Sequence, residues 1–421
     1  MEDNYLFILG RQPELSLAEL FGYAEGRAIN FEVGEIYGST AVIRGKLPEP
    51  KRLMEDLAGV VKIASAGAPL PRPKNINEWT ELLGSVLSSV ITSKQSLTFG
   101  LSFYGELRLC PSAKEQEQLA LTLKRLLKDK AKHVRWVSGR GKPLTSVQVA
   151  KNKLDTEQGC ELVIYCSDKT IIVGKTLAVQ AFEDWSERDY NRPRRDAKRG
   201  MLPPKLARMM VNMLGLPPRG TLLDPFCGSG TVLMEATMLG WPKLIGADKS
   251  ARAVKDAKTN TKWLMAWNSS QNTFAHSHEC ANDKGMNFLV SAAEDLPRRL
   301  APSSIQAIVT EPYLGTPLLS SPSEGQVKNL QRELAPLYGQ MLAVFDKLLI
   351  LNGRAIFILP QWVMPDGKEK TLPLSDLPWP KSLRRHDPLA PLPFCRDFSL
   401  VYKRPHQYIA RAIMIVEKVS R

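Results

Sequence analysis

The chain has 421 residues, 43% hydrophobic and 24% charged; this excludes a disordered or low-complexity protein and exceeds one ordinary core, so two or three domains are expected. Lys and Arg number 57 against 43 Asp and Glu, and the formal charge of +14 favours a polyanionic partner such as nucleic acid or an acidic membrane surface. The first residues are acidic before a very short apolar run, no apolar stretch reaches membrane-spanning length, and the six cysteines form no Cys-x-x-Cys pair, so a cytoplasmic protein with free thiols and no membrane partner is expected.

In chain order, residues 4 to about 65 have an α/β pattern. A strand at Tyr5 to Leu9 is followed by a helix opened by Pro13, a strand at Ala41 to Ile43 and a helix from Leu53 to Val61. Alternation at this length suggests a ferredoxin-like N-terminal domain over 1–70, closed by the Pro-rich Ala68 to Pro73. A second α/β segment, 71–185, should carry helices at Trp79 to Val90 and Gln116 to Leu127. Its expected strands are Leu97 to Phe103, Glu161 to Tyr165 and Thr170 to Val173, with Ser167 to Lys169 as a turn between the last two.

Between Lys124 and Lys153 there are ten basic residues against one acid, Asp129, with His133 and Trp136 among them. A charge run is ordinarily a solvated face, but an imbalance this concentrated points to phosphate contact through Lys124, Lys128, Lys132, Arg135, Arg140, Lys142, Lys151 and Lys153. A basic linker over 186–200, with Arg188, Arg192, Arg194, Arg195, Lys198 and Arg199, leads to a helix beginning near Pro203.

From 221 onward apolar strands alternate with helices: Thr221 to Asp224, Lys243 to Asp248, Phe288 to Ala292, Ala307 to Glu311 and Arg354 to Pro360. Such strands indicate a Rossmann-like parallel sheet covered on both faces, with ligands at the C-terminal strand ends. A hairpin, Phe398 to Tyr402 with Ala410 to Val416, should close it, and the polar stretch from Asn268 to Met286 looks like an insertion. The cluster His276, His278 and Cys280 has no second ligand pair with zinc spacing, so no metal is expected.

The chemistry concentrates at strand ends. Asp224-Pro-Phe-Cys-Gly-Ser-Gly-Thr231 joins an apolar strand to a helix through two glycines, where a ligand can approach backbone N–H groups at a helix start. The third glycine of a dinucleotide fingerprint and the Gly-Lys-Ser/Thr of a phosphate loop are both missing. Asp248, eighteen residues after Gly230, stands where a carboxylate can accept hydrogen bonds from ribose hydroxyls.

Asp-Pro-Phe-x-Gly-x-Gly-Thr closely resembles the cofactor loop of S-adenosylmethionine-dependent methyltransferases, especially those acting on exocyclic amines of bases. The resemblance implies a class I methyltransferase domain over 201–421, with S-adenosylmethionine met by Asp224, Phe226, Gly228, Gly230, Thr231, Asp248 and Lys249. A helix at 203–214 in related enzymes borders the methionine end, which makes Pro203 and Lys205 site candidates. Relatives place an acid for the adenine amine where Ala292 stands here, so Glu294 and Asp295 are the expected substitutes. Glu311-Pro-Tyr-Leu-Gly315 occupies the position of the Asp/Asn-Pro-Pro-Tyr/Phe motif, with Glu for the usual Asp or Asn and the aromatic one position early. Glu311 and the Pro312 carbonyl would accept hydrogen bonds from the target amine, and Tyr313 would stack on the base.

The order of segments, with Val147 to Leu154, Gly174 to Gln180 and Arg188 to Pro193, also looks like a THUMP-domain protein, whose module recognises the 3′ end of transfer RNA. Together these imply a tRNA guanine-N2 methyltransferase, acting at position 10 in the characterised members, with Arg192, Arg194 and Arg195 joining the RNA surface. An rRNA or DNA amine methyltransferase, and a non-catalytic RNA-binding protein with a decayed cofactor domain, are the alternatives. The sequence leaves open which nucleotide is modified, whether one or two methyls are added, and whether a small activating protein is needed.

Overall fold

A computed structural model of the chain describes residues 3–90, 96–168, 170–195, 201–271, 285–392, 400–405 and 407–420. Lys169, Lys198, Arg199, the His276 to Cys280 cluster, most of the expected insertion and the start of the strand expected at Phe398 lie outside these residues. The described residues divide into two compact units.

The first unit comprises Met1–Pro13 and Ile29–Phe182. Its strands are β1 (Asn4–Leu9), β2 (Phe31–Tyr37), β3 (Thr40–Gly45), β4 (Val60–Ser65), β5 (Leu70–Pro71), β6 (Ser96–Gly105), β7 (His133–Val137), β8 (Gly159–Cys166) and β9 (Thr170–Val179). They form one sheet in the order β2-β3-β1-β4-β9-β8-β6-β7, with β5 on β9. The helix expected through Val61 ends at Asp56, because Leu57 turns to extended backbone and the β-branched pair Val60 and Val61 enters β4. Strands β2 and β7 were not anticipated; β7 lies within the basic run, where charge masks the alternation.

After the chain's first helix, α1 (Pro13–Gly26), those of this unit are α2 (Pro50–Asp56), α3 (Ile76–Val90), α4 (Ala113–Leu126) and α5 (Ser146–Lys151). Helices α3 and α4 pack Trp79, Leu83, Leu119 and Leu123 with Phe99, Phe103 and Leu162 of the sheet. Beneath this apolar layer Lys62 pairs with Glu161, whose side chains are 1% and 0% exposed. Ser102 and Thr176 donate to the same carboxylate, so no lone charge is buried there.

The second unit comprises Glu14–Ala28 and Glu183–Arg421, so most of α1 groups with it although β1 and β2 on either side belong to the first. Gly22 permits the close approach of α1 to the end of helix α7 (Pro204–Met213); a Cβ there would lie 2.5 Å from the Asn212 carbonyl oxygen. Asn212 Nδ2 also donates to Glu19 Oε1 at 2.9 Å.

Strands β10 (Thr221–Asp224), β11 (Lys243–Asp248), β12 (Met286–Val290), β13 (Ile305–Thr310) and β14 (Leu349–Val363) run parallel, and the long β18 (Ile409–Lys418) pairs antiparallel with β14. With β16 (Leu383–Arg385) the order is β12-β11-β10-β13-β14-β18-β16; β15 (Glu369–Thr371) lies on β14 and β17 (Val401–Tyr402) on β18. The β17–β18 pairing is the expected terminal hairpin. Helices α6 (Phe182–Ser186), α8 (Thr231–Met238), α9 (Ala251–Gln271) and α10 (Glu324–Leu348) complete the unit. Helix α9 runs on through Gln271, into the stretch expected as an insertion. Chain order reverses between β10 and β13, and in sheets of this type the crevice beyond the carboxyl ends at such a point receives ligands.

Candidate active site

Two acids end neighbouring strands at this reversal. Asp224 closes β10 and is 2% exposed. Thr310 Oγ1, at the end of β13, donates to Asp224 Oδ1 at 2.7 Å, and the Phe226 N–H donates to the same oxygen at 3.1 Å. Both donors are neutral. Burial therefore dominates, and the Asp224 carboxyl is pushed up to about 7 despite them.

The turn after Asp224 depends on its glycines. Gly230 caps α8 with φ 85°, a left-handed conformation, and a Cβ there would lie 3.1 Å from the Cα and Cβ of Ala257. Gly228 has φ 49°, and a Cβ there would meet no atom within 4 Å, so its backbone is bare toward open space. The turn is tied to β11 by the Gly228 N–H donating to Asp248 Oδ2 at 3.1 Å, while the Ser250 N–H donates to Oδ1 at 2.8 Å. Ser250, not Asp248, caps α9 by accepting from the Ala253 N–H at 3.3 Å. Each carboxylate oxygen of Asp248 retains acceptor capacity. An adenosine-type group suits this turn, since the bare glycine backbone and an anchored strand-end acid are what ribose and its neighbours need.

The remaining expected cofactor residues are less convergent. Phe226 is half-buried against the core and Lys249 is exposed. Ser291 N–H donates to the Asp248 carbonyl at 3.0 Å, bringing the end of β12 beside Asp248. Glu294, however, is exposed, and Asp295 is paired at 2.9 Å with Arg298 on the surface. Pro203 caps α7, and the exposed Lys205 lies with its Nζ 5.6 Å from the Trp185 ring.

Glu311 follows β13 directly, with its side chain 14% exposed. Arg411 Nε donates to Glu311 Oε1 at 2.6 Å. Burial still raises the Glu311 carboxyl above its usual range, while Arg411 and, more weakly, Arg404 oppose that rise. Pro312 is buried and Tyr313 is 48% exposed. Tyr338 of α10 steadies this loop, donating to the Ile358 carbonyl at 3.0 Å and reaching the Tyr313 carbonyl at 3.5 Å.

The basic residues divide. Lys128, Lys132, Arg135, Arg140, Lys142, Lys151 and Lys153 are exposed around β7 and α5 of the first unit, and Lys124 is half-buried. Arg194 and Arg195 are exposed in the second unit, Arg195 with its guanidinium 5.1 Å from the Tyr190 ring. Arg192, expected at an RNA surface, is instead 3% exposed and donates to Thr231 Oγ1 at 2.7 Å, bracing the first residue of α8. The backbone just after it is tied down as well. Asn260 of α9 accepts from the Arg194 N–H and donates to the carbonyls of Arg194 and Ser229, all at 2.9 Å. Arg188, also counted in the basic linker, is buried with its Nε donating to Glu235 Oε1 at 2.9 Å, and Arg208 approaches the other Glu235 oxygen at 2.7 Å.

Thr310, Asn260 and Arg411 were not anticipated. A buried Asn inside an otherwise ordinary helix is a weak signal for Asn260, and Thr310 immediately precedes the motif. Arg411 is one hundred residues from Glu311 on a strand whose register the sequence does not give.

The model of the UPF0020 family, described as RMKL-like, methyltransferase domain, matches residues 191–365. A second model, described as DNA methylase, matches residues 113–259. The crystal structure of TrmN from Thermus thermophilus superposes with a TM-score of 0.55 at 15% identity, over 99% of this chain and 100% of that one. The second unit has the class I methyltransferase fold. Two curated relatives are tRNA (guanine(10)-N2)-dimethyltransferases. That of Methanothermobacter thermautotrophicus is 36% identical over 26% of this chain and 32% of its own length, and that of Methanocaldococcus jannaschii is 28% identical over 47% and 50%. The chain thus spans half or less of the length of these two relatives. On the methyltransferase fold, the matched family region contains the glycine turn, Asp248 and Glu311. No helix among the described residues is long and apolar enough to cross a membrane.

Proposed function

We propose that the protein transfers a methyl group from S-adenosylmethionine to the exocyclic N2 amine of a guanosine in tRNA. The observation that carries this reading is the Thr310–Asp224 hydrogen bond at 2.7 Å, which joins the strand of the glycine turn to the strand that leads into Glu311. It supports a cofactor site and an amine-acceptor site side by side at the strand reversal.

S-adenosylmethionine, when bound, supplies a sulfonium methyl. The chain's own residues would do the rest. Asp248 accepts from ribose hydroxyls, Gly228 and Gly230 let the backbone come close, and Asp224, Phe226 and Thr231 shape the turn around them. Lys249, Glu294 and Asp295 belong to the rim. Glu311 and the Pro312 carbonyl accept hydrogen bonds from the target amine, aiming its weakly nucleophilic nitrogen, and the exposed Tyr313 offers a stacking face for an extruded base. The exposed cations around β7 and α5 would hold RNA phosphates, with residues 1–70 and 71–185 as the ferredoxin-like and THUMP-like parts and a cytoplasmic site of action.

The match to a DNA methylase model makes DNA the second substrate to test. Side-by-side transfer of a tritiated methyl group to unmodified tRNA, rRNA and duplex DNA decides. The reading expects incorporation into tRNA far above the others. Incorporation mainly into DNA or rRNA would overturn the substrate, and none into any would overturn the activity.

A further inference from the structure

Glu311 is longer than the Asp or Asn usual in the motif it resembles, and the structure gives it a partner from a distant strand. Along β14, Phe357 lies beside Thr310 of β13, while Pro360, three residues further, lies opposite Arg411 of β18. Arg411 therefore stands beyond the carboxyl end of β13, two strands away, and only a long side chain can cross β14 to Glu311. It does so at 2.6 Å, with its own side chain 11% exposed. Only one carboxylate oxygen of Glu311 is engaged by Arg411 in this way.

We infer that Arg411 is a positioning residue for methyl transfer: it fixes Glu311 as an anion with Oε1 occupied, so that Oε2 is the oxygen presented to the target amine. This rests on the reading of the 311 loop as the amine-acceptor site.

The charged and titratable groups facing Glu311 come from four elements. Arg411 lies on β18 and Arg404 in the hairpin loop before it, and both favour the anion. The Tyr338 hydroxyl of α10 is held protonated by burial and by Glu311 itself, and Asp224 of β10 feels Glu311 as a like charge. Arg404 is exposed and its Nε donates to the Tyr402 hydroxyl at 2.9 Å, so it is the weaker partner. Without Arg411 only the weaker Arg404 would oppose the burial that already raises the Glu311 carboxyl, and a protonated carboxyl loses acceptor capacity.

The test is the pH dependence of single-turnover methyl transfer to tRNA by the full chain, compared for wild type, Arg411→Lys and Arg411→Met, with cofactor affinity measured for each. Arg411→Met should move the acid limb of the rate upward by one pH unit or more and lower the rate at pH 7 by roughly tenfold or more. Cofactor affinity should change less than about threefold, and Arg411→Lys should restore most of the rate. Because Arg411→Met leaves a buried carboxylate alone, Arg411→Met/Glu311→Gln serves as the folded control: it should be no slower than Glu311→Gln itself.

A wild-type pH profile and rate in Arg411→Met overturns the inference, as does a loss equal at every pH that lysine does not rescue. If wild type methylates no tRNA, the reading of the site fails instead. The carboxyl 13C shift of Glu311 then decides the ion pair separately: an unchanged titration in Arg411→Met would overturn it.

Discussion

The glycine turn and the 311 loop sit at the ends of adjacent parallel strands, yet they are assembled by different means. The acids at the turn are met by backbone groups or a short side chain: Gly228 N–H and Ser250 N–H on Asp248, Phe226 N–H and Thr310 Oγ1 on Asp224. At the 311 loop the acid is met by a guanidinium from an antiparallel strand. Neutral donors leave Asp224 pushed up to about 7, whereas a buried cation opposes the same burial at Glu311. Equivalent positions on one sheet thus meet the same burial with different partners, neutral donors at one carboxyl and a cation at the other.

If the 311 loop acts on the amine and the turn on the cofactor, Glu311→Ala should separate them most sharply. Methyl transfer should fall by roughly 100-fold to 1000-fold while S-adenosylmethionine affinity stays within about threefold, read by transfer assays and calorimetry. A parallel loss of both would break the division. On the cofactor side, Asp248→Ala removes the acceptor for the Gly228 and Ser250 N–H groups, and cofactor affinity should weaken by about 10-fold to 100-fold.

The support under the turn is tested by stability instead. Glu235 carries two buried arginines, Arg188 and Arg208, and Glu235→Gln should cost about 3–5 kcal/mol in urea unfolding.

Asp224 supplies a pH test of comparable magnitude. Its folded pKa is raised, so the unfolded chain gives up this proton near pH 4 and the folded chain only near 7; stability from this group is present below pH 4 and lost as pH rises toward 7. Asp224→Asn should therefore gain on wild type by about 4 kcal/mol between pH 4 and pH 8 in urea midpoints. A difference that does not vary with pH would contradict the environment described for Asp224. The smallest effect belongs to the first unit's surface: Lys132→Glu or Lys151→Glu should weaken tRNA binding only severalfold and reduce its salt dependence by about one to two counterions.

The same contrast explains what could be read from sequence. The turn was legible because its parts are contiguous: strand, acid, two glycines and helix follow one another, and Asp248 ends the next strand. Strands β10 and β11 have the boundaries their apolar runs suggest. Glu311 was visible as a departure from a motif, but its ion-pair partner was not, since Arg411 depends on the register of β18 against β14. Charge runs misled in one respect. Arg188 and Arg192 look like surface cations in sequence, yet Glu235 and Thr231 draw them inward, while Lys128 through Lys153 stay exposed. The assignment of most of α1 to the second unit was also beyond sequence reading, because it lies between two strands of the first.

The most direct measurement is mass spectrometry of nucleosides from unmodified tRNA incubated with the full chain and S-adenosylmethionine. The account predicts new N2-methylated guanosine, absent with Glu311→Ala. Methylation on another base or atom, or unmodified tRNA with a folded, cofactor-binding protein, would contradict it.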